Sequence, residues 1–71
     1  MSSPVESPVV GTVWKIEKEV GHAVGIGDVV MILESMKMEI PVEAEDAGVI
    51  ENIAVVEGDS VGEGDTLATI G

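Results

Sequence analysis

Cysteine is absent from this 71-residue chain, so neither a disulfide nor a thiolate metal site can brace it. Phenylalanine and tyrosine are absent too, and Trp14 is the sole aromatic residue. Cations are scarce: Lys15, Lys18 and Lys37 stand against 14 acidic residues, for a net charge of −11. A surface of that sign repels nucleic acid and anionic membranes, so partners with neutral or basic docking faces are expected. No apolar run approaches the length needed to span a membrane, and no signal peptide opens the chain. Cytoplasmic residence is the default expectation. There is one histidine, and the acids do not follow a calcium-loop spacing. Without a Cys nucleophile, a paired-His site or a Ser/His/Asp arrangement, no catalytic or metal site is expected.

What the chain has is Val, Ile and Gly. The apolar share, 45%, is that of a folded protein. Val and Ile are stiff at χ1 and suit a pleated surface, and nine glycines punctuate short apolar runs. Residues 1–71 are read as one all-β domain. Its core is small, so a compact, closed architecture must supply the stability that size does not.

An internal repeat organises the chain. Adding 37 carries Pro4–Leu33 onto Pro41–Ile70 without a gap, with ten identities in thirty positions. They include Gly11/Gly48, Gly21/Gly58, Gly25/Gly62, Gly27/Gly64 and Asp28/Asp65. Two copies are too few for a solenoid. The repeat predicts two interlocked halves about a pseudo-two-fold axis, forming a flattened barrel or sandwich of two four-stranded antiparallel sheets.

After a frayed Met1–Ser3, strands are expected at Val5–Val10, Gly11–Lys18, Ala23–Val24 and Val29–Leu33. The second set is Ile40–Glu45, Gly48–Ile53, Ser60–Val61 and Thr66–Ile70. Val13 to Ile16, and Ile50 to Ile53, are spaced by three, which predicts a bulge in each half. The unbroken apolar run Val29–Leu33 reads as a strand covered on both sides.

The join between the halves, Glu34–Met38, has no counterpart after Ile70. It must be a short turn with Met36 and Lys37 at its tip, although tight hairpins favour Asn-Gly or Gly there. A turn without glycine predicts backbone strain. Trp14 pairs with Glu51 in the repeat and need not be buried. His22 pairs with Asp59 and reads as a turn residue. Lys15 and Lys18, opposite Asn52 and Val55, read as solubilising surface lysines.

Glu34-Ser35-Met36-Lys37-Met38-Glu39 resembles the attachment motif of the biotinyl/lipoyl attachment domain family. Ser7-Pro8-Val9-Val10-Gly11-Thr12 is similar to that family's first-strand motif, and Gly27-Asp28-Val29 to its approach to the attachment strand. The likeness spans residues 4–70 and is greatest to single-domain biotin carboxyl carrier types. It implies covalent biotin on Lys37, with Glu34, Ser35, Met36 and Met38 facing a biotin protein ligase. The amine would attack the carbonyl of biotinyl-adenylate; a lysine is protonated at neutral pH, and no base stands beside Lys37 in sequence, so the ligase must take the proton. The implied protein is a monomeric, non-enzymatic carrier moving carboxylate from a biotin carboxylase to a carboxyltransferase component. The alternatives are a lipoyl carrier, whose tip usually reads Asp-Lys-Ala, and an unmodified interaction module. Some family members insert residues in the first half that touch the cofactor; the gapless repeat leaves no room for them here.

Overall fold

The computed structural model describes residues 2–71. Eight strands form two four-stranded sheets: β1 (Ser3–Glu6), β2 (Gly11–Ile16), β3 (Ala23–Val24), β4 (Val29–Ser35), β5 (Met38–Glu43), β6 (Gly48–Ile53), β7 (Ser60–Val61) and β8 (Thr66–Ile70). One sheet runs β1-β8-β6-β3 and the other β5-β4-β2-β7, with all pairings antiparallel. Exchanging β1 with β5, β2 with β6, β3 with β7 and β4 with β8 turns one order into the other. Each sheet therefore takes two strands from each half, which is the interlocking that the repeat predicts.

The core follows the same rule. The buried side chains fall into pairs 37 apart: Val5/Val42, Ser7/Ala44, Val13/Ile50, Val24/Val61, Val30/Leu67, Met31/Ala68 and Leu33/Ile70. Both inner faces close on this cluster, and every buried side-chain polar atom among the described residues is bonded. Ser7, 2% exposed, donates its hydroxyl to the Val9 carbonyl at 2.6 Å.

Bulges occur in symmetry-related places. The register slips between Val13 and Lys15 against β4, and between Ile50 and Asn52 against β8. A second slip leaves Val30 without an opposite residue on β5. This corrects the reading of Val29–Leu33 as covered on both sides. Val30, Met31 and Leu33 are buried, but Ile32 faces outward and is half-buried. The extra residue lets consecutive Val30 and Met31 both reach the core.

The turns are copied as well. Gly27 (φ 93°) and Gly64 (φ 87°) take the left-handed region that a β-branched residue would resist. In each turn the aspartate amide donates to the carbonyl three residues back, Asp28 to Gly25 at 3.0 Å and Asp65 to Gly62 at 3.1 Å. Each aspartate Oδ2 accepts the same glycine's amide at 2.8 Å. His22 is a turn residue: its Nδ1 accepts the Glu19 amide at 3.1 Å, as Asp59 Oδ2 accepts that of Val56 at 3.0 Å. The Lys18–Ala23 segment thus turns as its counterpart does.

Several boundaries move. The first strand is Ser3–Glu6, not Val5–Val10, because Ser7 leaves the sheet to bond Asp65 and Gly64. Ser3 pairs with Ile70, so it is no frayed end; Met1 lies outside the described residues. β2 stops at Ile16, where the amides of Glu17 and Lys18 both turn to the Val30 carbonyl. β4 and β5 run two residues nearer the tip than expected, to Ser35 and from Met38; β5 also ends at Glu43, since Ala44 bonds the 27–28 turn.

Candidate functional site

β4 and β5 form the longest hairpin of the fold, in register from Leu33↔Ile40 through Glu34↔Glu39 to Ser35↔Met38. That register leaves only Met36 and Lys37 to reverse the chain. Both adopt positive φ, 52° and 65°, and they are the only non-glycine residues described that do so. Positive φ at both central residues is the two-residue hairpin pattern whose twist matches the strands it joins. Neither residue has a side chain that eases this conformation, so the predicted strain is present.

Nothing at the tip repays the strain by burial. Met36 is 92% exposed, Met38 64%, and Lys37 is exposed. The one ion pair among the described residues is Lys15–Glu17, at 3.4 Å. The Lys37 amine is therefore unpaired, although Glu34 and Glu39 stand directly opposite each other below it. Like charges facing across a strand pair oppose folding by a few tenths of a kcal/mol.

The base of the hairpin is held from the side. Ser35 donates its hydroxyl to the Val10 carbonyl at 2.8 Å. Beside it β2 passes so close that a Cβ on Gly11 would lie 2.5 Å from the Glu34 carbonyl oxygen. Only glycine fits that approach. Gly48 meets the Gly71 carbonyl at the same 2.5 Å in the related position. A shallow groove of about 610 Å³ lies along this contact, lined on one side by Pro8–Thr12 and on the other by Glu34–Met36. Four of the five predicted site residues, Ser35 to Met38, thus sit at or beside one turn, with Glu34 one step below. The Ser35–Val10 bond and the place of Pro8–Thr12 beside the turn were not anticipated; the family-like motif at Ser7–Thr12 and the Gly11/Gly48 identity were the signals that could have located them.

A tight turn that presents an exposed, unpaired lysine against its backbone preference is suited to covalent modification by another protein. A family model described as "Biotin-requiring enzyme" matches residues 1–70. The chain belongs to the biotin/lipoyl attachment family. A "Biotinylated protein TB7.3 homolog" of Mycobacterium leprae is 41% identical over 54 residues, covering 76% of each chain. A "Biotin/lipoyl attachment protein" of Bacillus subtilis is 43% identical over 49 residues, covering 69% of this chain and 67% of the other. In structure the chain matches the Kluyveromyces lactis urea carboxylase with a TM-score of 0.94 and 37% identity; the match covers 99% of this chain and 6% of that one. The fold therefore recurs both as a small protein of similar length and as a minor part of a large carboxylase.

Proposed function

We propose that the protein is a biotin carrier and that Lys37 is its attachment site. The observation that carries this reading is the tip itself: a lysine at positive φ, exposed, unpaired and flanked by two exposed methionines. The residues fit the group. Nζ has open space around it, and its amide with biotin would cost no ion pair. Biotin bound there would supply a ureido nitrogen that takes up and releases carboxylate.

The chain's own part is presentation. The hairpin extends the lysine beyond the barrel, and the Ser35–Val10 bond with the Gly11 contact fixes the hairpin's base. Holding the amine in one place lets a ligase position it without ordering a loop first. Met36 and Met38 offer adaptable apolar contact. Glu34 faces a basic ligase surface, and Ser35, whose hydroxyl is committed to Val10, acts through the shape of the turn. The base that frees the amine belongs to the ligase, and the carboxylase and carboxyltransferase centres belong to partners, so the chain is a substrate and tether and no enzyme. It works as a cytoplasmic monomer. The relatives named as biotinylated favour biotin over lipoate, as do the methionines beside Lys37.

The test is intact mass. After incubation with ATP and either biotin and a biotin ligase or lipoate and a lipoate ligase, the protein should gain one biotinyl group and no lipoyl group. A lipoyl gain alone, or no gain with either, would overturn the reading.

A further inference from the structure

Three segments remote in sequence close the groove beside Lys37. The loop between β1 and β2 gives Pro8 and Val10, the turn before β8 gives Glu63, and the hairpin gives Glu34, Ser35 and Met36. The three are bonded to one another. Ser35 is tied to the Val10 carbonyl. In the same loop the Ser7 amide donates to the Asp65 carbonyl, and the Gly64 amide donates to the Ser7 carbonyl, both at 2.8 Å. Groove and lysine are thus held together as one surface.

Val10 is 70% exposed, and Met36 stands bare on the opposite wall. Unlike Val9, Val10 belongs neither to the core nor to the residues packed on it. Its related residue is Ala47, so the fold does not require the larger side chain there. Glu34 and Glu63 add two exposed carboxylates, and no lysine lines the groove.

Reach decides which partner must meet this groove. Ligation joins the acyl carbon of biotinyl-adenylate to Nζ itself, releases AMP and passes the amine's proton to a base of the ligase. Nζ lies roughly 6 Å from the Lys37 Cα when the side chain is extended. A ligase therefore has to close around the tip, and Met36 and Ser35, one and two residues away, fall within its contact area. Carboxylation and carboxyl transfer take place on the ureido ring, which hangs beyond Nζ on biotin's own chain. Those centres can be served with the barrel held off by the joint length of lysine and biotin. A second copy is opposed by charge, since two such grooves would bring their carboxylates together on chains of net charge −11.

We propose that the groove between Val10 and Met36, rimmed by Glu34 and Glu63, docks the biotin ligase while the amide forms at Lys37. The ligase seats an apolar side chain between Val10 and Met36 and sets basic side chains against the two carboxylates. Lys15 and Lys18 carry the same amine but lie outside this groove, so it helps to select one lysine of three. The proposal rests on the biotin-carrier reading, which makes Lys37 the acceptor.

The test is ligase kinetics on the full unmodified chain with biotin and ATP. Val10→Ala with Glu63→Gln removes one apolar side chain and one charge from the groove. KM for the chain should rise at least about tenfold, with kcat within about twofold. Ile26→Ala with Glu45→Gln removes the same kinds of group elsewhere: Ile26 precedes β4 and Glu45 follows β5, at the end of the hairpin away from its tip, and both are exposed. That variant should keep the native KM. Once biotinylated to completion, the groove variant should also keep the native KM for the carboxylase and carboxyltransferase components. A ligase KM that does not rise overturns the docking site and leaves the carrier reading intact. An equal rise in both variants overturns it by reporting net charge alone, and a comparable rise for either carboxylase component overturns it because the groove is then not the ligase's own. Native protein that the ligase does not biotinylate overturns both readings. If the groove variant is unfolded, resonance broadening in the Lys37→Arg chain decides: added ligase, biotin and ATP should broaden Val10 and Met36 and leave Ile26 and Ala47 sharp. The reverse pattern overturns the proposal, as does native-chain self-association that the groove variant abolishes, which assigns the groove to a second copy.

Discussion

Replacing the hairpin tip by Met36→Asn with Lys37→Gly should make the protein more stable while removing its function. A left-handed residue costs an L-amino acid about 1–2 kcal/mol, so Met36 and Lys37 together store roughly 2–4 kcal/mol. Asparagine tolerates this region better than methionine, and glycine has no Cβ to strain. Glycine adds disorder to the unfolded chain, an offset of about 0.5–1 kcal/mol. No packing is lost in exchange, since both native side chains are exposed. The net gain is about 1–2 kcal/mol, and each kcal/mol raises the melting temperature of a domain this small by about 4–8 °C. Thermal melts and urea titrations of the unmodified proteins measure it, with the Met36→Gly single variant expected to give part of the gain. A melting temperature equal to or below that of the native chain would refute the claim that the tip is held against its backbone preference.

Other outcomes follow from the same geometry. Gly11→Ala should cost about 1–3 kcal/mol through overpacking against the Glu34 carbonyl and should also slow biotinylation, because the hairpin base must shift. Gly48→Ala, which meets the Gly71 carbonyl and Ile70 instead, should cost a similar amount of stability by urea titration and leave biotinylation rate unchanged. Met36→Asp with Met38→Ala should lower biotinylation sharply in a competition between biotin and lipoate ligases, since a charge at a desolvated contact rejects the wrong partner; equal rates would move discrimination to Glu34 and Ser35. Because the Glu19–His22 turn matches the Val56–Asp59 turn, nothing in it reaches over the tip. Nuclear relaxation of biotin attached at Lys37 should therefore report a flexible tether rather than the tumbling of the barrel.

The architecture was legible because the repeat states the symmetry directly: a core residue in one half names its partner in the other. The bulges were legible as a broken alternation at Val13–Ile16. Strand ends were less so. Ser7 looks like strand continuation, but its backbone bonds to Asp65 and Gly64, a contact nearly sixty residues away that no local pattern encodes. The run Val29–Leu33 misled because a bulge residue adds an apolar position without adding a covered face. At the site, Lys37 stood out by motif and by its place at the join. Its supports did not, since the Ser35–Val10 bond links positions 25 residues apart and depends on how closely β2 passes β4.

The most direct measurement is the intact mass of native and Lys37→Arg proteins after incubation with a biotin ligase, biotin and ATP, alongside their melting curves. Lys15 and Lys18 remain in both as internal controls, one paired with Glu17 and the other half-buried. The native chain should gain a single biotinyl group. The variant should gain none and melt at the same temperature, because arginine keeps the charge and the turn. A biotinyl group on the Lys37→Arg protein, or none on the native chain, would contradict the assignment of Lys37.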